Sequence, residues 1–261
     1  MKAILQKLIR GAHVALCSQD LPNKLAIYFH DIDRSEFNAF VETISYFLEQ
    51  GYDFCDPNAF CRRQSGRAVL LSFDDNHRSW LKIAEFLQGR EVKATFYVNT
   101  CVLEPRCSPA EVSAYYDRID GHRDRTPLSR TDIADLVAAG HVLGSHGHSH
   151  QMLTQLPLPY AKEEIRRGKV ELENLLGNPV MHFSFPYGMR RHFCEELRSF
   201  CFELGFQTVA SAIPAMQHCR QSAECIYRSP WRLDKSREYN LDNLRVNGAL
   251  FEHLTGRSAV G

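Results

Sequence analysis

Apolar residues along the chain follow two rhythms in turn. Short unbroken apolar runs alternate with longer stretches in which every third or fourth position is apolar. Leu25-Ala26-Ile27-Tyr28-Phe29-His30 predicts a buried strand. Behind it Phe37, Phe40, Val41, Ile44, Phe47 and Leu48 recur at helical spacing, giving one apolar helix face that Gly51 can end. Ala68-Val69-Leu70-Leu71-Ser72-Phe73 predicts a second buried strand, with Asp74 and Asp75 at its carboxyl end. A helix over 80–87 then leads to a strand over 92–98 rich in β-branched and aromatic residues.

The same alternation continues downstream. Ser129-Arg130-Thr131-Asp132 has the form of a capping box and opens a helix that Gly140 ends. A strand over 141–145 runs into a histidine cluster. Further elements follow as a helix over 160–176, a strand over 181–185, a helix over 192–204, strands over 206–210 and 226–229, and a last helix over 241–254. Repeated strand-helix-strand units predict an α/β fold with a parallel sheet covered by helices, either a barrel or an open doubly wound sheet. The segment 104–126, charged and without period, reads as a long loop.

Composition narrows this picture. A chain of 261 residues, 44% hydrophobic, can bury a large core, and no Pro/Gly/Ser-rich linker divides it. One domain over 1–261, with its core at about 25–255, is expected. Lys+Arg and Asp+Glu number 31 each, so net charge gives no reason to expect a nucleic-acid partner. No run approaches the roughly 18–20 apolar residues of a membrane span. Lys7 and Arg10 interrupt the opening apolar positions, which predicts an amphipathic helix rather than a secretory signal. Nine cysteines, an odd number with no C-x-x-C spacing, suit reduced thiols. A cytoplasmic location follows as the expectation, with a peripheral lipid contact left open. Oligomeric state is not legible.

Two adjacent carboxylates after an apolar run call for a partner, because a buried acid is costly alone. At a strand end the backbone turns, so both can reach one cavity, one binding a metal while the other stays free. A simple helix cap is the competing reading. His146 and His150 stand four apart, with His148 between them. On a helical turn, residues i and i+4 share a face, which suits two imidazoles converging on a zinc-type ion while His148 points elsewhere. Phe183-Ser184-Phe185-Pro186-Tyr187-Gly188 follows another strand and suits a wall of such a site.

Taken in this order, the three segments resemble the polysaccharide deacetylases, the NodB-homology or carbohydrate esterase family 4 enzymes. Ser72-Phe73-Asp74-Asp75-Asn76 matches a Thr-Phe-Asp-Asp-Gly-like motif, Gly144-Ser145-His146 with His150 matches the paired histidines, and Ser184-Phe185-Pro186-Tyr187-Gly188 approximates Arg-Pro-Pro-Tyr-Gly. The resemblance implies a distorted (β/α) barrel with a divalent metal, most simply Zn2+, at the carboxyl ends of its strands. Asp75, His146 and His150 would be ligands and Asp74 the base. Pro186 and Tyr187 would line the substrate site, the Tyr187 N–H holding the oxyanion. The implied activity is removal of an N-acetyl or similar acyl group from an amino sugar or saccharide. Alternatives are a non-sugar amide or formyl substrate, or a catalytically impaired carbohydrate-binding homologue.

Three positions depart from the family pattern. Asn76 replaces Gly, which matters little if the turn needs a left-handed residue that Asn tolerates. Ser184 stands where an Arg usually orients the catalytic Asp; Arg228 could supply that charge and border the substrate site, or be an Arg at a strand end in solvent. The late histidine that often acts as acid has only His253 to match it. His30, at the end of the first strand, is the better candidate, because its position resembles that of the strand-end histidine in poly-N-acetylglucosamine deacetylases; the alternative is that it packs or bonds locally.

Overall fold

The computed structural model describes residues 20–103, 107–119, 125–215 and 225–246. The first strand, β1 (Lys24–Phe29), is followed by α1 (Phe37–Glu49), β2 (Tyr52–Phe54) and α2 (Pro57–Arg62). Next come β3 (Arg67–Asp75), α3 (Trp80–Gln88), β4 (Thr95–Val98), α4 (Pro109–Arg118), α5 (Arg130–Ala138) and β5 (Val142–Ser145). The chain continues through α6 (Leu158–Leu176), β6 (His182–Ser184), α7 (Glu195–Glu203), β7 (Thr208–Ser211), β8 (Cys225–Tyr227), β9 (Ser229–Pro230) and α8 (Arg237–Val246).

Every strand pairing is parallel. The order is β8-β7-β6-β5-β4-β3-β1-β9, with β2 beside the start of β3. Since β8 and β9 are separated only by Arg228, this one segment pairs with β7 on one side and β1 on the other. The sheet therefore curls into a nearly closed barrel, and Arg228 sits at the seam.

Strand parity sorts the core into two layers, because alternate side chains face opposite sides. Leu25, Ile27, Phe29, Val69, Leu71 and Phe73 belong to the large cluster beneath the helices. Ala26, Ala68, Leu70, Tyr97, Ala210 and Ile226 form a smaller cluster inside the barrel, plugged by Phe60 of α2. Both faces of β3 are apolar for this reason, and its run is continuous rather than alternating. Carried upward, the lumen parity of 68 and 70 leads to Ser72 and Asp74, that of 26 to Tyr28 and His30, and that of 226 to Arg228. Gly144 is needed in this layer: a Cβ there would lie 2.4 Å from the Tyr97 ring.

The expected strands and helices are present over most of the described chain, with shifted ends. The loop expected over 104–126 is a correction, since it contains α4. Ser108 caps that helix, Pro109 fills its first turn, and Glu111 returns a bond to the Ser108 N–H. Its buried Tyr115 and Tyr116 give it an apolar face that is too short to show as a period. β2 and α2 were not expected. The N-terminal helix, the end of the last helix and His253 lie outside the described residues. No helix among them is long and apolar enough to cross a membrane, and the described cysteines, from Cys55 to Cys225, are thiols.

Candidate active site

Asp74 follows lumen parity and points into the barrel, where Arg228 meets it with two parallel bonds of 2.7 Å. The same guanidinium donates to Ser184 Oγ at 2.6 Å, Ser72 Oγ at 3.0 Å and the Ser211 carbonyl at 3.1 Å. It lies between the Tyr28 and Tyr97 rings, 4.9 and 5.1 Å from their centroids. Arg228 is 0% exposed, which rules out the solvent alternative. It stands beneath the carboxylate rather than on the cavity wall. Burial alone would raise the Asp74 carboxyl, but the Arg228 charge, helped by His146 and His30, outweighs it and holds the group below its usual range. The small Ser184 leaves room for this arginine, which supplies by way of the seam the charge that the third motif lacks.

Asp75 breaks parity. Its φ of 79° turns the backbone at the strand end, so its carboxylate faces the same cavity as Asp74. Asn76 itself does not adopt a positive φ, so its replacement of Gly needs no left-handed tolerance. Instead its side chain accepts from the Leu128 N–H at 3.0 Å and donates to the Asn99 carbonyl at 3.3 Å. Asn99 in turn donates to the His146 carbonyl at 2.6 Å and accepts from Tyr115 at 2.9 Å. The loops after β3, β4 and β5 are thereby tied together.

His146 and His150 converge on Asp75, their Nε2 atoms 3.5 and 3.1 Å from its Oδ1. The donor atoms of the three buried residues all lie within 4.8 Å of one another. His146 Nδ1 is 2.8 Å from the Ser184 carbonyl, which can only accept, so the proton sits on Nδ1 and Nε2 offers its lone pair. Burial pushes His146 down to about 4, so the ring is neutral at ordinary pH. Asp75 Oδ1 accepts no hydrogen bond although it is buried between two imidazoles. A carboxylate oxygen facing an imidazole lone pair with no proton between them is the arrangement a divalent cation completes, so the residues fit a metal. His77, which the sequence reading passed over, stands with Nε2 3.7 Å from Asp75 Oδ2.

His148 points away, its Nδ1 3.0 Å from both Thr100 Oγ1 and Glu171 Oε2. Helix α6 holds this loop from behind: the Glu164 carboxylate receives the Ser149 N–H at 2.9 Å, and its carbonyl receives the His148 N–H at 3.0 Å. Of four non-glycine residues with positive φ among those described, Asp75, His150 and Tyr187 belong to this site. Backbone strain is thus concentrated where the chemistry-bearing side chains are aimed.

A cavity of about 370 Å³ joins these groups, lined by Tyr28, His30, Asp74, Asp75, His146 and His150 together with Arg118, Ile119, Tyr187 and Ala212. His30 is exposed in it, its carbonyl fixed by Trp80 Nε1 at 2.9 Å. The Tyr187 ring packs 4.6 Å from that of His150. Pro186 is buried beneath, outside the cavity lining. Arg118, Ile119 and Tyr28 were not expected at the site; the first two come from the helix the sequence hid.

A parallel barrel carrying paired acids and histidines at the carboxyl ends of its strands is the architecture of a class of hydrolase. The family model for polysaccharide deacetylases matches residues 62–209, and the chain belongs to that family. The match takes in Asp74, Asp75, His146, His150 and Tyr187, while His30 and Arg228 lie outside it. Among solved structures, IcaB from Ammonifex degensii is 19% identical with a TM-score of 0.67, over 85% of this chain and 95% of that one. A Streptococcus pyogenes deacetylase, PplD, solved with acetate, is 15% identical with a TM-score of 0.67, over 87% and 99%. The BpsB deacetylase domain from Bordetella bronchiseptica is 15% identical with a TM-score of 0.61, over 81% and 97%. At these identities the likeness establishes the fold, the distorted NodB-homology barrel. None of the curated proteins matches the sequence.

Proposed function

We propose that the chain hydrolyses the N-acetyl, or a similar small acyl, group of an amino sugar within a saccharide, releasing the acid and a free amine. The observation that supports this best is the separation of two neighbouring carboxylates: Asp74 is bonded to Arg228, and Asp75 faces two imidazoles. Asp75, His146 and His150 would hold a divalent cation, and one carboxylate with two imidazoles suits zinc. Such a cation, when bound, lowers the pKa of water toward about 7 and polarises a carbonyl.

Asp74 takes the proton from the attacking water as the hydroxyl adds to the acyl carbon. Arg228 keeps Asp74 ionised and oriented for that role, as a positioning residue. The Tyr187 N–H donates to the carbonyl oxygen as it becomes negative. His30, at the cavity mouth, delivers a proton to the departing nitrogen as the C–N bond breaks. The acyl product keeps the hydroxyl of the water and the amine takes the proton from His30; Asp74 then gives up its proton to solvent and His30 regains one, so one water is consumed per turnover. In the test, purified protein with zinc is given N-acetylglucosamine oligomers and acetate is measured. Asp74→Asn should keep the metal and lose release by a factor of about 10² or more. Acetate release by Asp74→Asn at the wild-type rate would refute the assignment.

A further inference from the structure

A second cavity, of about 650 Å³, opens beside the catalytic one, and the two meet at Arg118, which lines both. Its walls come from α4, α5, α6 and the loops after β4 and β5. A volume of this size suits a further sugar or headgroup of a bound substrate. Among its described lining residues, three arginines face two glutamates. Glu111 is engaged in the cap of α4, taking the Ser108 N–H at 2.7 Å and its hydroxyl at 2.9 Å. Glu171 receives Arg167 Nε at 2.9 Å and the Thr100 hydroxyl at 2.6 Å, with His148 Nδ1 3.0 Å away. Both acids, and Arg167 with them, are thus satisfied locally. Arg118 and Arg130 remain, each without an anionic partner among the described residues.

We propose that this cavity binds an anionic group, phosphate or carboxylate, carried by the saccharide next to the sugar that is deacylated. The proposal rests on the de-N-acylation reading above. Guanidinium forks match the paired oxygens of either anion and gain most where solvent is partly excluded. Arg118 reaches both cavities, so an anion at this junction would place the adjoining sugar against Asp74 and His30.

The test titrates the zinc-loaded full chain with three probes: a neutral N-acetylglucosamine disaccharide, its 1-phosphate, and a disaccharide with a uronate neighbour. Wild type should bind at least one charged probe about tenfold more tightly than the neutral one, and that preference should weaken with salt. Whichever charged probe gains identifies the anion. Arg130→Gln should reduce the preference to about twofold or less, and Arg130→Lys should restore most of it. The Arg130 side chain makes no hydrogen bond or ion pair with another described residue, so thermal melting should confirm that these variants are folded. Equal affinity for all three probes, no binding of the charged ones, or a preference that Arg130→Gln leaves intact would overturn the proposal. Acetate is measured in the same samples, so a charge preference without release would count against the de-N-acylation reading alone.

Discussion

Arg228→Met isolates the ion pair under the active site. Arg228 and Asp74 are 0% and 3% exposed and share two bonds of 2.7 Å. Removing one partner of a buried pair costs about 3–5 kcal/mol, because the remaining charge keeps its desolvation penalty without compensation. Against a total stability of about 5–15 kcal/mol, that is a large share. The pH dependence carries a sign. In the wild type Asp74 is held below its unfolded value of about 3.9, so its contribution is complete above that value and is lost as pH falls through the folded pKa. Without Arg228, burial dominates and raises the carboxyl, so ionisation then opposes folding. The gap between wild type and variant should therefore widen as pH rises above about 4 and narrow below it. Urea unfolding at pH 4 and pH 7 measures this, with Asp74→Asn and the double variant completing a cycle. Arg228→Met should cost about 2–3 kcal/mol less in the Asp74→Asn background than alone. A cost under about 1 kcal/mol at pH 7, or equal costs at both pH values, would show that Arg228 does not compensate the buried Asp74 charge.

Two further outcomes follow from particular contacts. Gly168→Ala should destabilise by about 1–3 kcal/mol, although Ala is favoured over Gly in a helix by about 1 kcal/mol. A Cβ there would stand 2.5–2.9 Å from the Gly147 backbone, beside His146, so calorimetry should also find zinc affinity reduced about tenfold. A stabilised variant with unchanged affinity would contradict this. Burial pushes His182 down to about 4, and its Nδ1 lies 2.9 Å from the Thr208 hydroxyl. Its folded pKa is depressed, so stability is complete above about 6.5 and falls as pH drops toward 4, by about 3 kcal/mol in all. His182→Asn should show a flatter decline between pH 6.5 and 4 in urea unfolding, and an unchanged slope would exclude the effect.

Most strands were legible because a parallel barrel buries both faces of each, which writes them as unbroken apolar runs flanked by helical periods. The site residues on single motifs were legible for a related reason: strand ends carry them, and Asp74, Asp75, His146 and His150 are local in sequence. What could not be read was pairing across the barrel. Arg228 lies 154 residues from Asp74, and only closure of the seam between β7 and β1 brings them together. Helix α4 was hidden because its apolar face is little more than Tyr115 and Tyr116, although the capping box at Ser108 and Glu111 was a usable sign. Asn76 would tolerate a left-handed turn, but it is Asp75 that adopts a positive φ, which redirects its carboxylate. Side-chain preference cannot foresee strain that tertiary contacts impose.

Metal-dependent deacylation at Asp75, His146 and His150 is tested most directly by zinc titration of metal-free protein with acetate release followed in the same samples. Release should rise with zinc and level off at about one ion per chain. His146→Ala with His150→Ala should neither bind that ion nor release acetate. Full activity without zinc, or stoichiometric binding that survives the double substitution, would contradict that reading.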